Sequence, residues 1–511
     1  MPGRIGFEIN LGGAGDGRGG VPRRSDRMRI LVLADFSGRS HRGLETVADL
    51  ASRPIMALDL DTFDAVFRRL APRLAAGAGV GAAASVALEF GTLDDFHPDH
   101  LYATLEPFRA LRESRARLLD PATFEQEASR LMENPPAPSA ATDVAPAAEP
   151  PRKEDQSELL QRLIGGPAQS AVRPASTQSA VDGLIRRLLQ PHITPGPKRS
   201  AAPYVAALDA SLTELMNAVL HGDDFQRLEA TWRGVRRLVD SLDLGDALQL
   251  YVVDVSKAEL LADLDASQGD PSESAAHRLL VDASRRGADE QPWSLLVGDY
   301  SFGASADDIA LLGHLGVIAS RAGGPLLAAA EPGLLGCERL GEDAEPRRWA
   351  FADAGVEKLW TELRSSPIAR WVFLALPRIL LRLPYGAKSD PVESFAFEEF
   401  GGLAKHDDYL WGNPALACAE VIARAFLEEG PGLSIEGQLE IDDLPAHVRD
   451  QNAERRLQPC AEFALPIRVG EEMMQRGFIP LLSFGNRNAV RVMGVRSIFD
   501  GSSTAAGAAT P

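Results

Sequence analysis

Asp224-Phe225-Gln226-Arg227-Leu228-Glu229-Ala230-Thr231-Trp232-Arg233-Gly234 is the stretch on which the reading of this chain turns. It belongs to an amphipathic helix over 225–239 and sets one buried-type aromatic, Trp232, among closely spaced charged residues. Just upstream, Val205, Leu208, Leu212, Leu215, Val219 and Leu220 recur at helical spacing, a stripe that begins at Tyr204. Downstream, strand-like runs at 247–254, 293–297, 325–330 and 371–376 alternate with helical runs at 257–264, 307–321 and 414–428. Alternation of this kind predicts an α/β unit with a mostly parallel sheet.

A second unit precedes it. Arg29-Ile30-Leu31-Val32-Leu33-Ala34-Asp35-Phe36-Ser37-Gly38 reads as a buried strand closed by a Ser-Gly turn. Residues 61–72 read as a helix with Phe63, Val66, Phe67 and Leu70 on one face. Residues 85–90 alternate like a strand, the acidic residues of 93–101 cap another helix, and 112–119 continues as a charged helix that stops near Pro121. Between the units, residues 134–156 carry six prolines and no hydrophobic periodicity, the composition of an extended, solvated linker. Short helical patterns follow at 157–163 and 181–189, each too short to be stable alone. The expected organisation is a first unit at 1–133, a linker with short helices at 134–203, a second unit at 204–500 and a disordered tail at 501–511. The expected fold class is α/β, with mixed sheets flanked by helices in two parts.

Bulk properties narrow the function. The chain has 511 residues, enough for more than one core, and a net charge of −19. That charge argues against nucleic acid as a partner, because phosphate binding needs a basic surface. With no apolar run of membrane-spanning length and no apolar signal core behind Met1, membrane insertion and export are not expected. The three cysteines, Cys337, Cys418 and Cys460, are widely spaced and form no metal or redox motif, which fits a reducing cytoplasm.

The sequence offers no convincing active site. The glycine-rich run at 12–20 lacks the Gly-Lys-Ser/Thr ending of a phosphate loop. His97, Asp99 and His100 sit in one short loop and read as capping residues, and Cys418 lies in an apolar run and reads as an inert thiol. No catalytic residue, cofactor or metal ligand is therefore expected. Arg378 and Arg382, in Leu376 to Gly386 (LPRILLRLPYG), need carboxylate partners if buried, with Asp299, Glu398 and Glu399 as candidates. Trp232, Arg233 and Trp411 read as core anchors first and interface residues second.

Four signatures follow the Trp232 stretch in fixed order: WSLLVGDYSFG at 293–303, LPRILLRLPYG at 376–386, DYLWGN at 408–413 and GFIPLL at 477–482. Together they resemble the large subunit of the type VI secretion contractile sheath, the TssC family. The first unit is similar to the small subunit, TssB, in its strand ending Asp-Phe-Ser-Gly, its helix at 61–74 and its Leu-Asp-Asp-Phe-x-Pro turn at 93–98. The resemblance implies a fused structural subunit that polymerises helically around an inner tube, meets baseplate proteins and drives the tube outward on contraction. Fusion would hold the halves at high effective concentration and in equal numbers. It also implies a short helix gripped by a disassembly AAA+ ATPase, for which Leu159, Leu160, Leu163 and Ile164 are the candidates, with 181–189 second. Large sheath subunits continue well beyond GFIPLL, whereas this sequence ends soon after Ile498. Either the first half supplies the missing surface, or the usual linkage between protomers is replaced. A non-polymerising accessory or baseplate-end adaptor is the alternative.

Overall fold

In the computed structural model, the residues described are 27–44, 47–74, 88–132, 200–282, 292–341, 344–401, 405–430, 439–451, 454–485 and 487–500. The glycine-rich run, the proline-rich linker, both short helical patterns with Leu159, Leu160, Leu163 and Ile164, and the tail lie outside them.

The apolar run that opens the first unit forms strand β1, Met28–Ala34, and its place in the molecule governs everything else. Its pairing partners come from the second unit. Strands β3 (Leu248–Asp254) and β4 (Leu295–Phe302) flank it in parallel, with Ile30 level with Leu250 on one side and Leu295 on the other. The remaining strands are β2 (Met56–Leu58), β5 (Leu326–Ala330), β6 (Val372–Leu376), β7 (Leu439–Ile441), β8 (Ile479–Ser483) and β9 (Val490–Val492). They build one nine-stranded sheet in the order β7-β9-β8-β6-β5-β4-β1-β3-β2. Every pair from β8 to β3 is parallel, and antiparallel strands close both edges.

The two units read from sequence are therefore not two cores side by side. A strand buried on both faces reads as a continuous apolar run, which is why β1 shows no polar alternation beyond Arg29. Met28, Ile30, Val32 and Ala34 enter the core on one face of the sheet, and Leu31 and Leu33 enter the core on the other. The first face is covered by α1 (Phe63–Leu70), α2 (Pro98–Thr104), α3 (Glu106–Leu119), α4 (Phe124–Met132), α5 (Ala202–Leu220), α6 (Asp223–Ser241) and, later in the chain, Pro414–Glu429. The second is covered by α7 (Lys257–Ala266), α8 (Ala306–Ala322), α9 (Ala354–Ser365) and, beyond the Pro414–Glu429 helix, which is α10, by α11 (Ile467–Gln475).

Most elements fall where periodicity places them, with two instructive shifts. The strand read at 293–297 runs instead from Leu295 to Phe302, because a register shift between Val297 and Ser301 lets it continue past Gly298. The strand read at 85–90 is described only as Leu88–Glu89, paired with Arg73–Leu74. Gly234 sits inside α6, where glycine costs about 1 kcal/mol against alanine. A Cβ there would come within 2.6 Å of Leu416 Cδ1, so the glycine is what lets α6 and α10 approach. Among the described residues no helix is long and apolar enough to cross a membrane.

Candidate functional site: the seam between the halves

Among the described residues no pocket of reactive groups stands out; the arrangement that sets this chain apart is the seam along which residues 27–132 meet residues 200–500. Trp232 is its centre. The indole is fully buried, and its Nε1–H donates to the Phe36 carbonyl at 2.9 Å. Phe36, Phe63 and Phe67 surround it at ring-centroid distances of 5.1, 5.8 and 4.3 Å. All three rings belong to the first half, so the residue that identifies the second half fills a socket made by the first. Tilted and edge-on rings at such distances add about 0.5–1.5 kcal/mol per pair beyond the area they bury. Two helical turns earlier, Phe225 packs edge-on against Phe96 at 5.4 Å and Phe90 at 6.0 Å.

Polar contacts extend the seam. Asp254, at the end of β3, accepts from Ser37 N–H at 3.1 Å and Ser37 Oγ–H at 2.7 Å. Burial is the main cause that lifts its carboxyl pKa to about 6, and nearby Asp35 adds to it. Glu259 is buried and takes Arg53 Nη1 and Arg39 Nε, each at 2.9 Å. Arg115 Nε donates to Asp209 Oδ1 at 2.7 Å, and Asp99 accepts from the backbone amides of Glu393 and Ser394 at 3.1 and 2.9 Å. His97 accepts from Asp99 N–H through Nδ1, the capping role read from sequence.

Arg382 and Arg233 organise a buried ionic cluster beside this seam. Arg382 donates through Nε to Glu229 Oε1 at 3.0 Å and through Nη1 to Glu399 Oε2 at 2.8 Å. Arg233 donates to the same Glu229 oxygen at 2.7 Å and to the Tyr385 hydroxyl at 3.0 Å. Glu399 also accepts from Tyr385 N–H at 2.7 Å and contacts His221 Nε2 at 3.1 Å. Burial pushes the Glu399 carboxyl up, but Arg382 and His221 outweigh it and hold its pKa at about 2. Burial opposes the Arg382 charge, but Glu229 and Glu399 lift its pKa well above the ordinary value.

Of the acidic partners expected for the arginines, Glu399 is found and two are not. Asp299 accepts from Thr231 Oγ1 at 2.5 Å, and Glu398 accepts from Ala387 N–H at 3.0 Å. Neither is paired with an arginine of this stretch: Asp299 is held by Thr231 of α6, and Glu398 by the backbone of its own loop. Arg378 pairs instead with Glu462, Nε at 3.0 Å and Nη2 at 2.6 Å. Glu462 also meets His406 Nε2 at 3.0 Å, and these partners hold its pKa at about 2 although burial opposes them. Trp411 donates its Nε1–H to the His406 carbonyl at 2.9 Å, so it anchors this second cluster. Cys418 is fully buried and burial pushes its thiol pKa up. A cleft of about 680 Å³ opens at the C-terminal ends of β1, β3 and β4, where Lys257 and Arg378 are already tied to Asp308 and Glu462.

A sheet completed by a strand from a separate sequence unit, with an aromatic lock across the join, makes one folded unit of two interleaved parts. Family comparison gives the class. The model described as "EvpB/VC_A0108, tail sheath N-terminal domain" matches residues 202–499, and the chain belongs to this type VI secretion sheath family. The model described as "Type VI secretion system, VipA, VC_A0107 or Hcp2" matches residues 27–133, so a TssB-like part and a TssC-like part are fused in one chain. Over 306 residues the chain is 35% identical to "Type VI secretion system sheath protein TssC1" of Pseudomonas aeruginosa, covering 59% of this chain. The chain spans 61% of the length of that relative.

Proposed function

We propose that this chain is the fused small-and-large subunit of a type VI secretion contractile sheath, which assembles helically around an inner tube and shortens to drive the tube outward. The observation that carries the reading is β1, an interior strand of the sheet, which comes from the TssB-like half and sits between two strands of the TssC-like half. The proposed division is 1–133 as the small-subunit part, 134–203 as the connection, and 204–500 as the large-subunit part. Heterologous contacts repeated without closing into a ring generate such helices. The proposed partners are further copies of the chain, an inner tube protein, baseplate proteins and a disassembly AAA+ ATPase that grips Leu159, Leu160, Leu163 and Ile164. The role is structural, and the cytoplasm is the proposed compartment.

Electron microscopy of the purified chain with its tube protein tests the proposal. Hollow cylinders of uniform width are expected. Particles that stay single under all conditions, while baseplate proteins are retained in a pull-down, would move the chain to the adaptor role. For the ATPase contact, Leu160→Glu with Leu163→Glu should abolish binding and leave assembly intact.

A further inference from the structure

We infer that each chain completes its own sheet, and that most of the connection between the halves is surplus to that closure. This holds whether or not the chain polymerises. The geometry comes from the folded elements on either side of the connection. Phe124, which opens α4, packs edge-on against Tyr204 in α5, with ring centroids 5.8 Å apart. Arg115 of α3 and Asp209 of α5 are joined by a 2.7 Å ion pair, so the three helices form one packed corner. From Phe124, α4 runs only to Met132, a rise of about 12 Å at roughly 1.5 Å per residue. On the other side, α5 begins at Ala202, within one turn of Tyr204. The end of the first half and the start of the second therefore lie within about 25 Å of each other.

An extended chain covers about 3.3 Å per residue, so about eight residues would bridge that gap. The connection, residues 133–199, is several times longer. A flexible chain of that many residues would average about 45 Å end to end, so its length alone puts no strain on closure across the gap. Tethered at that distance, the first half reaches its own docking slot at an effective concentration on the order of millimolar. A second copy at micromolar concentration competes about a thousandfold less well for the slot between β3 and β4. Closure within one chain wins, and the assembled unit enters any lattice already paired.

Two experiments on the soluble chain test this. First, a specific protease site is inserted after Ala147 in the full chain, and the particle mass is measured by light scattering before and after cutting. Closure within the chain predicts a one-chain mass that cutting leaves unchanged, because the halves stay interleaved. A mass of two chains that falls by half on cutting would show exchange of halves between copies and overturn the inference. Separation into two unequal fragments would overturn the shared sheet itself. Second, deletion of residues 138–193 should leave a folded one-chain particle whose unfolding midpoint is unchanged or slightly higher, since a shorter loop costs less entropy to close. A shortened chain that forms two-chain particles would contradict it.

Discussion

Replacing Trp232 by alanine should weaken the seam more than any other single truncation in α6. The indole is wholly buried, and a tryptophan hides about 150–250 Å². At about 25 cal/mol per Å², that is about 5 kcal/mol of transfer free energy, and measured large aromatic truncations cost about 3–5 kcal/mol. Loss of the bond to the Phe36 carbonyl adds about 1 kcal/mol. We expect W232A to lose about 4–5 kcal/mol in urea unfolding followed by far-ultraviolet circular dichroism. W232F keeps most of the ring packing but leaves the Phe36 carbonyl without its donor, and should lose about 1–3 kcal/mol. Because the socket rings all come from the first half, the W232A chain should also become sensitive to proteolysis within residues 27–132. A loss below about 1 kcal/mol in W232A, the level of an ordinary surface change, would refute the claim that this residue locks the halves together.

Three further outcomes follow from the buried polar groups. Arg382→Met leaves Glu229 and Glu399 without their shared cation and should cost about 3–5 kcal/mol at neutral pH. Glu399 ionises more readily folded than unfolded, so its contribution, about 3 kcal/mol, is present above pH 4.5 and lost as pH falls toward 2; the mutant's acid unfolding curve should be correspondingly flatter, and parallel curves would argue against it. Asp254 has the opposite sign: with its folded pKa raised to about 6, its share of stability is full below about pH 4 and is lost as pH rises through 6. Asp254→Asn should therefore raise the thermal midpoint at pH 7.5 and raise it much less at pH 4, and an equal change at both would count against this. His314 is buried in α8 and neither ring nitrogen has a hydrogen-bond partner among the described residues, so His314→Leu should stabilise by about 1 kcal/mol in the same urea assay, and a clear loss would show that the ring has an unrecognised role.

Much of the seam was legible as residue types but not as partners. Trp232 announces burial because it is a large aromatic at a regular position in an amphipathic helix. Its socket could not be read, since Phe36, Phe63 and Phe67 lie far away in sequence and only the three-dimensional path of β1 brings them together. Arg382 and Glu399 are near enough in sequence to suggest each other. Glu229 was missed because a glutamate flanked by charged residues on a helix looks like part of a solvated face, whereas here it is fully buried. The signal that could have found it is its placement three residues before Trp232, on the same side of the helix. The parallel sheet followed from alternation, but strand order did not. Apolar runs say that β1 is buried on both faces; they do not say that its neighbours begin more than two hundred residues later.

The position of β1 is tested most directly by hydrogen exchange of its amides in the intact chain. If Met28–Ala34 is paired on both sides inside the sheet, its amides should exchange as slowly as those of Leu248–Asp254 and Leu295–Phe302 and be released with them in one cooperative step. Exchange of Met28–Ala34 well before its two neighbours would contradict the interleaved subunit.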